Sequence, residues 1–207
     1  MAEIKYYGAG CFEIKTKDAS VIIDPIDKSY GKTVSIKDKI IVSTVATADK
    51  YKDAKFVIDT PGEYEISKVG VNGIPARLNT DHDQEGSRGI VYRIILPDTT
   101  IAVLGNIDPS LSDEQLESIG VVDYLVLPVG GGGLSIEPSD AAKIARAIEP
   151  KVVIPSHFKS EGVNYPVAQE EVSVFAKELG KEFETVAKIK LSHPETDDLV
   201  LIVLETS

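Results

Sequence analysis

DYLVLPV, residues 123–129, and PSDAAKIARAIEPKVVIPSH, residues 138–157, form the stretch that decides the fold. The first segment is a short continuous apolar run, which is typical of a buried strand. The second segment begins as a helix, with Pro138 near its first turn, and ends in the apolar run KVVIPS, which predicts another buried strand. Strand and helix alternate in this half of the chain, which indicates α/β layers with sheets inside and helices outside.

The first hundred residues carry strands with little room for helices between them. IKYYGAG, CFEIKTKD and SVIIDP are short runs separated by Gly or Asp turns, and they predict a β-meander. Further strands are predicted at KIIVST, KFVID, VGVNGIPA, GIVYRIIL and TIAVLG. In the second half, the remaining predictions are helices at LSDEQLESIG and VAQEEVSVFAKELG and strands at FETVAKIKL and LVLIVLE. No linker or repeat interrupts these elements, so we expect residues 1–207 to form a single domain.

The composition excludes several classes of function. The chain has 207 residues, of which 43% are hydrophobic, and a formal net charge of −11. That charge repels phosphate backbones and anionic bilayers, so we expect no nucleic-acid partner and no membrane partner. The sequence has no signal-peptide pattern, and its single cysteine, Cys11, excludes an internal disulfide. We therefore expect a cytoplasmic protein.

Polar residues that follow apolar strands are the candidates for chemistry, because catalytic groups of α/β proteins lie just beyond strand ends. The candidates are Asp24 in IIDP, Asp49 in TVATADK, Asn106 and Asp108 in LGNID, and His157 in IPSHFK, with Asp59 in VIDTPGEY as a weaker one. A histidine after so apolar a strand is an unusual choice for a plain turn. The alternative is a hydrogen-bonded structural histidine, and the sequence leaves both open.

Several segments, in order and over nearly the whole chain, carry a family resemblance. They are YYGAGCFEIK, SVIIDP, TPGEYEISKVGVNGIPA, TIAVLGNID, and VDYLVLPVGGG followed by PSDAAKIARAIEPKVVIPSHFK. In these segments the chain resembles the metallo-β-lactamase superfamily, and within it the small zinc-dependent hydrolases that include ascorbate-phosphate lactonase-like proteins. The resemblance implies a four-layer αβ/βα sandwich, which agrees with the layers expected from the strand and helix pattern.

The zinc-binding motif of this family, HxHxDH, is degenerate in the chain. Aligned on the preceding Ser-Thr, the sequence places Val45, Thr47 and Lys50 where the resemblance implies histidines, and keeps only Asp49. Valine has no donor atom, and a lysine brings positive charge to a site meant for a cation. The loop therefore reads as a former metal-binding loop whose ligands were replaced.

The remaining family ligands are also incomplete. In VLGN, Val103 and Asn106 stand where the family has a histidine and a bridging aspartate, whereas the last family histidine matches His157. His82, in NTDHDQEG, lies near another histidine of some relatives. A catalytic zinc needs about three protein ligands and an open position, and asparagine binds it more weakly than a carboxylate.

These losses predict a non-hydrolytic protein that needs no cofactor and binds a small anionic or polar ligand, or a protein partner, through the vestigial pocket. The alternative is a metal-dependent hydrolase of the phosphoester or lactone type, with zinc or another divalent metal at a rearranged site of His157, His82, Asp49 and Asp24. A third class is an assembly protein, since β-rich chains must protect their sheet edges and the family often forms homo-oligomers.

Two further features leave alternatives open. An Asp–His pair can perform general acid–base chemistry without metal, and it would need a nucleophile from Ser43, Thr44, Thr47 or Ser156. The competing interpretation is that Asp24 and Asp49 cap turns or pair with Lys50. The glycine run VGGGGLS, residues 129–135, is either a tight permissive connection or an anion site at a helix N-terminus.

Overall fold

The computed structural model describes residues 2–47, 50–79 and 88–207. In this part of the chain the strands are β1 (Ala2–Gly8), β2 (Cys11–Lys15), β3 (Ser20–Ile23), β4 (Ile40–Val42), β5 (Phe56–Ile58), β6 (Gly62–Ile66), β7 (Val69–Arg77), β8 (Arg88–Leu96), β9 (Thr99–Val103), β10 (Tyr124–Pro128), β11 (Val152–Ser156), β12 (Phe183–Val186), β13 (Ile189–Leu191) and β14 (Val200–Leu204). The helices are α1 (Asp113–Ile119), α2 (Pro138–Ile148) and α3 (Val172–Leu179). None of these helices has the length and apolar character needed to cross a bilayer.

One mixed sheet contains six strands in the order β13-β1-β2-β3-β4-β5. The antiparallel pairs β1–β2 and β2–β3 confirm the predicted meander. β4 and β5 then continue parallel to β3. The carboxyl ends of three neighbouring strands therefore lie at one edge of this sheet, where polar groups after β3 and β4 can meet.

The other sheet contains eight strands in the order β12-β14-β11-β10-β9-β8-β7-β6. β9, β10, β11, β14 and β12 are parallel to their neighbours, and β6, β7, β8 and β9 form an antiparallel arm. Every residue of β10 and β11 is buried, as the two apolar runs predicted. His157 directly follows the last residue of β11.

The helices begin and end where the sequence places the appropriate residues. Pro138 stands at the first turn of α2, and the buried residues of that helix recur at helical spacing. α3 ends at Gly180, which has a left-handed backbone with φ +72°. α1 begins at Ser112, which forms a capping box with Gln115.

The two sheets pack face to face around one apolar core to which both contribute. The helices pack on the eight-stranded sheet and on one another, so the predicted α/β sandwich is confirmed. Among the described residues, loops at 24–39 and 50–55 cover the outer face of the six-stranded sheet. There Ile26 and Tyr51 pack against Cys11, Ile22 and Ile41, and burial raises the pKa of the Cys11 thiol to about 12.

Three local predictions were wrong. β6 was not predicted, because its sequence GEYEI is short and mostly exposed. FETVAKIKL forms two strands that belong to different sheets, β12 in the eight-stranded sheet and β13 in the six-stranded one. The helix predicted from residue 167 begins at Val172, because residues 167–171 leave the helical path and contact the glycine run.

Candidate functional site

A cavity of about 290 Å³ opens at the carboxyl ends of β3, β4, β9, β10 and β11. It brings together three of the predicted candidates, Asp24, Asn106 and His157. Asp108 does not line it and accepts a hydrogen bond from the Ser110 backbone at 2.9 Å. Asp59, the weaker candidate, does not line the cavity either, and Asp49 and His82 lie outside the described residues, so the roles predicted for those two stay predictions.

Asp24 is held at the base of the cavity by the residues that follow β4. Its Oδ1 accepts a hydrogen bond from the Thr44 backbone N–H at 2.8 Å, and its Oδ2 accepts one from Thr44 Oγ1 at 2.7 Å. Burial raises the pKa of this carboxyl to about 6, against the lowering effect of the hydrogen bonds from Thr44 and Ser43 and of the charge of Lys50. Asp24 is therefore a carboxylate that the fold keeps at a cost.

His157 follows β11 and is fixed from two sides. Its backbone N–H donates to the Ala9 carbonyl at 2.8 Å, and its Nδ1 lies 3.3 Å from Gln169 Oε1. The Tyr165 ring lies beside the imidazole, with 5.0 Å between ring centroids. Burial lowers the pKa of His157, so the imidazole is neutral near pH 7. This histidine is hydrogen-bonded, as its structural alternative required, and it also lines the cavity.

Backbone strain is concentrated around the same cavity. Ala9, Asp24 and His157 have φ values of +50°, +39° and +52°, a region that costs free energy for residues other than glycine. The three are linked, because His157 donates to Ala9 and the adjacent Gly10 lies against the Asp24 carboxylate. Such strain persists only where the surrounding structure enforces it, and it is common at functional sites.

The residues that stand where the resemblance implies metal ligands make other contacts in this structure. Val45, Thr47, Lys50 and Val103 line the cavity. Thr47 donates both its backbone N–H and its hydroxyl to Asp59 Oδ2, at 3.0 and 2.8 Å, so Asp59 caps this loop. The Lys50 ammonium lies 5.4 Å from the centroid of the Tyr51 ring, in a cation–π contact.

Asn106 is engaged by neighbouring loops. Its Nδ2 donates to the Leu134 carbonyl, and its Oδ1 accepts a hydrogen bond from Asn79 Nδ2 at 3.4 Å. Asn79 Nδ2 also donates to the Ser135 carbonyl at 3.2 Å. The Asn106 amide therefore joins the loop after β9 to the glycine run. An ionised aspartate could not form this bond, because it has no N–H to donate to the Leu134 carbonyl.

A catalytic zinc does not fit the donor set of the described residues. Within residues 2–47, 50–79 and 88–207, no group of three or more His, Cys, Asp or Glu side chains is arranged to hold a metal ion. The cavity offers the imidazole of His157 and the carboxylates of Asp24 and Asp27, and both carboxylates already accept hydrogen bonds, Asp24 from Thr44 and Asp27 from Ser29. Structural and catalytic zinc sites need at least three protein ligands.

Internal hydrogen bonds engage three of the four predicted nucleophiles, Ser43 and Thr44 with Asp24 and Thr47 with Asp59. Ser43, Thr44 and Ser156 are buried, and the hydroxyl of Thr44 already donates to Asp24. In the glycine run, the Glu137 carboxylate lies against Gly131, where a Cβ atom would be only 2.5 Å from Glu137 Oε2. A carboxylate at this point repels an anion, which favours the interpretation of a tight connection.

Sequence reasoning missed the residues that shape the cavity from outside the strand ends. Gln169 orients His157 from a segment whose pattern indicated a helix. Tyr30 and Tyr51 form part of the wall from loops that cross the six-stranded sheet. In the sequence, Gln169 is a polar residue within a predicted amphipathic helix, and such residues typically lie on the solvent-exposed face.

Comparison with known proteins agrees with this architecture. The profile of a family described as a beta-lactamase superfamily domain matches residues 3–157. A UPF0173 protein of Pyrococcus abyssi is 26% identical, over 86% of this chain and 96% of its own length. A UPF0173 metal-dependent hydrolase of Pyrococcus horikoshii is 27% identical, over 67% of this chain and 60% of its own length. A crystal structure from Thermotoga maritima, provisionally assigned as a Zn-dependent hydrolase of the metallo-β-lactamase superfamily, is 26% identical, covers 99% of this chain and all of its own, and has a TM-score of 0.78.

Proposed function

Because this chain belongs to the beta-lactamase superfamily and its described residues lack a zinc donor set, we propose that it is a non-hydrolytic member that binds a small molecule. The site is the cavity at the strand ends, lined by Asp24 and His157. The observation that carries the proposal is the combination of a strained, anchored histidine with metal-ligand positions occupied by Val45, Thr47 and Val103.

The shape and chemistry of the cavity support a small-molecule ligand. Its volume of about 290 Å³ lies at the small end of the range for ligand pockets. Its walls combine apolar side chains, such as Ile26 and Val103, with Tyr30, Tyr51 and a few polar groups. Ligand sites of this kind use the apolar walls for affinity and the polar groups for orientation.

The second candidate is a metal-dependent hydrolase, and a specific observation favours it. The Pyrococcus horikoshii relative is named a metal-dependent hydrolase. For this chain, such an activity requires a rearranged site in which Asp49 and His82 join Asp24 and His157. That arrangement would supply four donors, enough for a mononuclear hydrolytic centre.

Metal content separates the two candidates. We expect purified, untagged protein to retain almost no metal after incubation with zinc, manganese or iron and desalting, as measured by mass spectrometry. The positive control is the triple variant Val45→His, Thr47→His, Lys50→His, in which three imidazoles return to the loop and metal retention should rise.

A hydrolase would give the opposite result. Retention of about one metal ion per chain, lost in His157→Ala and accompanied by metal-dependent hydrolysis of a phosphodiester or a lactone, would refute the non-hydrolytic proposal.

A further inference from the structure

The orientation of the Gln169 side chain is fixed by its neighbours. Its Nε2 donates to the carbonyls of Ala168 and Gly131, at 3.2 and 3.3 Å. Its Oε1 accepts a hydrogen bond from Ser135 Oγ at 3.1 Å. A flipped amide would place its oxygen against two carbonyl oxygens, so the oxygen faces the Ser135 hydroxyl and the His157 ring.

This orientation fixes the tautomer of His157. An amide oxygen is only an acceptor, so the imidazole must donate from Nδ1 across the 3.3 Å separation. The neutral ring then carries no proton on Nε2, which becomes a hydrogen-bond acceptor. Gln169 does not line the cavity, whereas His157 does, so the Nδ1 side of the ring points away from the cavity. Nε2 has no hydrogen-bond partner among the described residues.

The charges around the cavity disfavour an anionic ligand. Asp24 and Asp27 both line it, with Lys50 as the cation among the described lining residues. The Asp27 carboxylate accepts hydrogen bonds from the Ser29 backbone N–H and hydroxyl, at 3.0 and 2.9 Å, which favours its ionised form. Two carboxylates and one ammonium leave a local charge that repels a carboxylate or phosphate group.

We infer that the ligand of this cavity is a small uncharged molecule whose hydroxyl or N–H group donates a hydrogen bond to His157 Nε2. The inference rests on the proposed function and specifies its ligand class. An uncharged donor matches the free acceptor, suits the apolar walls, and avoids repulsion from the two carboxylates. A ligand of similar shape without the donor leaves the acceptor unpaired, which weakens binding about tenfold.

The test compares aromatic probes of similar shape by chemical-shift titration of the isotope-labelled protein. Phenol carries the donor, anisole replaces it by a methyl ether, and benzoate carries a negative charge. We expect phenol to bind about tenfold more tightly than anisole and also more tightly than benzoate. In His157→Asn the preference for phenol over anisole should disappear, because the shorter side chain does not reach and Asn tolerates the left-handed backbone. The matched control is His193→Asn, since His193 does not line the cavity.

A second measurement does not depend on any variant folding. Nitrogen chemical shifts of the unmodified protein report which ring nitrogen of His157 is protonated, and we expect the proton on Nδ1. A proton on Nε2 overturns the inference, as does equal binding of phenol and anisole, tighter binding of benzoate, or no binding of phenol. Equal binding within the cavity refutes only the donor requirement and leaves the binding function standing. A bound metal with hydrolysis refutes the binding function itself.

Discussion

The replacement Asp24→Asn tests whether this protein keeps an ionised carboxylate at a cost to its stability. Burial is the main cause that raises the pKa of Asp24 from 3.8 to about 6. The folded protein therefore binds a proton more tightly than the unfolded chain, and linkage requires its stability to fall as pH rises through this window. The displacement of the pKa corresponds to about 3 kcal/mol above pH 6, as an upper value before water penetration is considered.

Asparagine reproduces the protonated form without titrating. Its Oδ1 can accept from the Thr44 backbone N–H, and its Nδ2 can donate to Thr44 Oγ1, which replaces both hydrogen bonds of the carboxylate. Asparagine also tolerates the φ of +39° at this position. We therefore expect Asp24→Asn to be more stable than the unmodified protein by about 1–3 kcal/mol at pH 8, and equally stable near pH 4.

Urea unfolding of both proteins between about pH 4 and pH 8 measures this difference, because subtraction removes the contributions of all other titrating groups. Asp27→Asn is the matched control at the cavity rim. The pKa of Asp27 is lowered, so its replacement should change stability in the opposite direction. If the advantage of Asp24→Asn is independent of pH, or if the variant is less stable at pH 8, the assignment of a costly buried charge is wrong.

Two further predictions concern stability. Glu13→Gln should lower the free energy of unfolding by about 1 kcal/mol at pH 7, and this difference should fade as the pH falls from 4.5 to 2. Burial raises the pKa of Glu13, but hydrogen bonds, of which the one from Lys39 has the largest effect, lower it to about 2. Acid titration of both proteins by circular dichroism checks this, and a difference that persists at pH 2 would contradict it. Gly105→Ala should destabilise by about 1–3 kcal/mol, because a Cβ would lie 2.2 Å from Thr44 Oγ1. An unchanged thermal midpoint would show that Thr44 can move aside.

Most of the fold could be predicted because apolar burial leaves a local signature. The continuous apolar runs of β10 and β11 indicate strands that are buried on both faces. The helical period of the apolar residues in α2 indicates a helix that is buried on one face. The prediction failed where that signature is weak or shared. β6 is a mostly exposed edge strand, and the split between β12 and β13 depends on which sheet accepts each half.

The candidate site was predictable only where it follows strand ends. Asp24, Asn106 and His157 line one cavity because strands of both sheets end there, β3 in the six-stranded sheet and β9 and β11 in the eight-stranded sheet. Gln169 was not found, since its contact with His157 depends on the path of residues 167–171 and not on any local pattern. The tautomer of His157 therefore follows from the tertiary structure, and the sequence alone leaves it open.

The energetic costs at the cavity argue that it still has a use. Left-handed backbone at Ala9, Asp24 and His157 and a buried ionisable carboxyl all reduce stability, by contributions of order 1–3 kcal/mol each. A cavity with no function could remove the cost of the buried charge by the single replacement Asp24→Asn. Stability commonly gives way to function at sites that bind or react, and rarely elsewhere. Together with the non-histidine residues at positions 45, 47 and 103, where the family resemblance implies ligands, this strain favours our proposal of a binding function over the loss of any function.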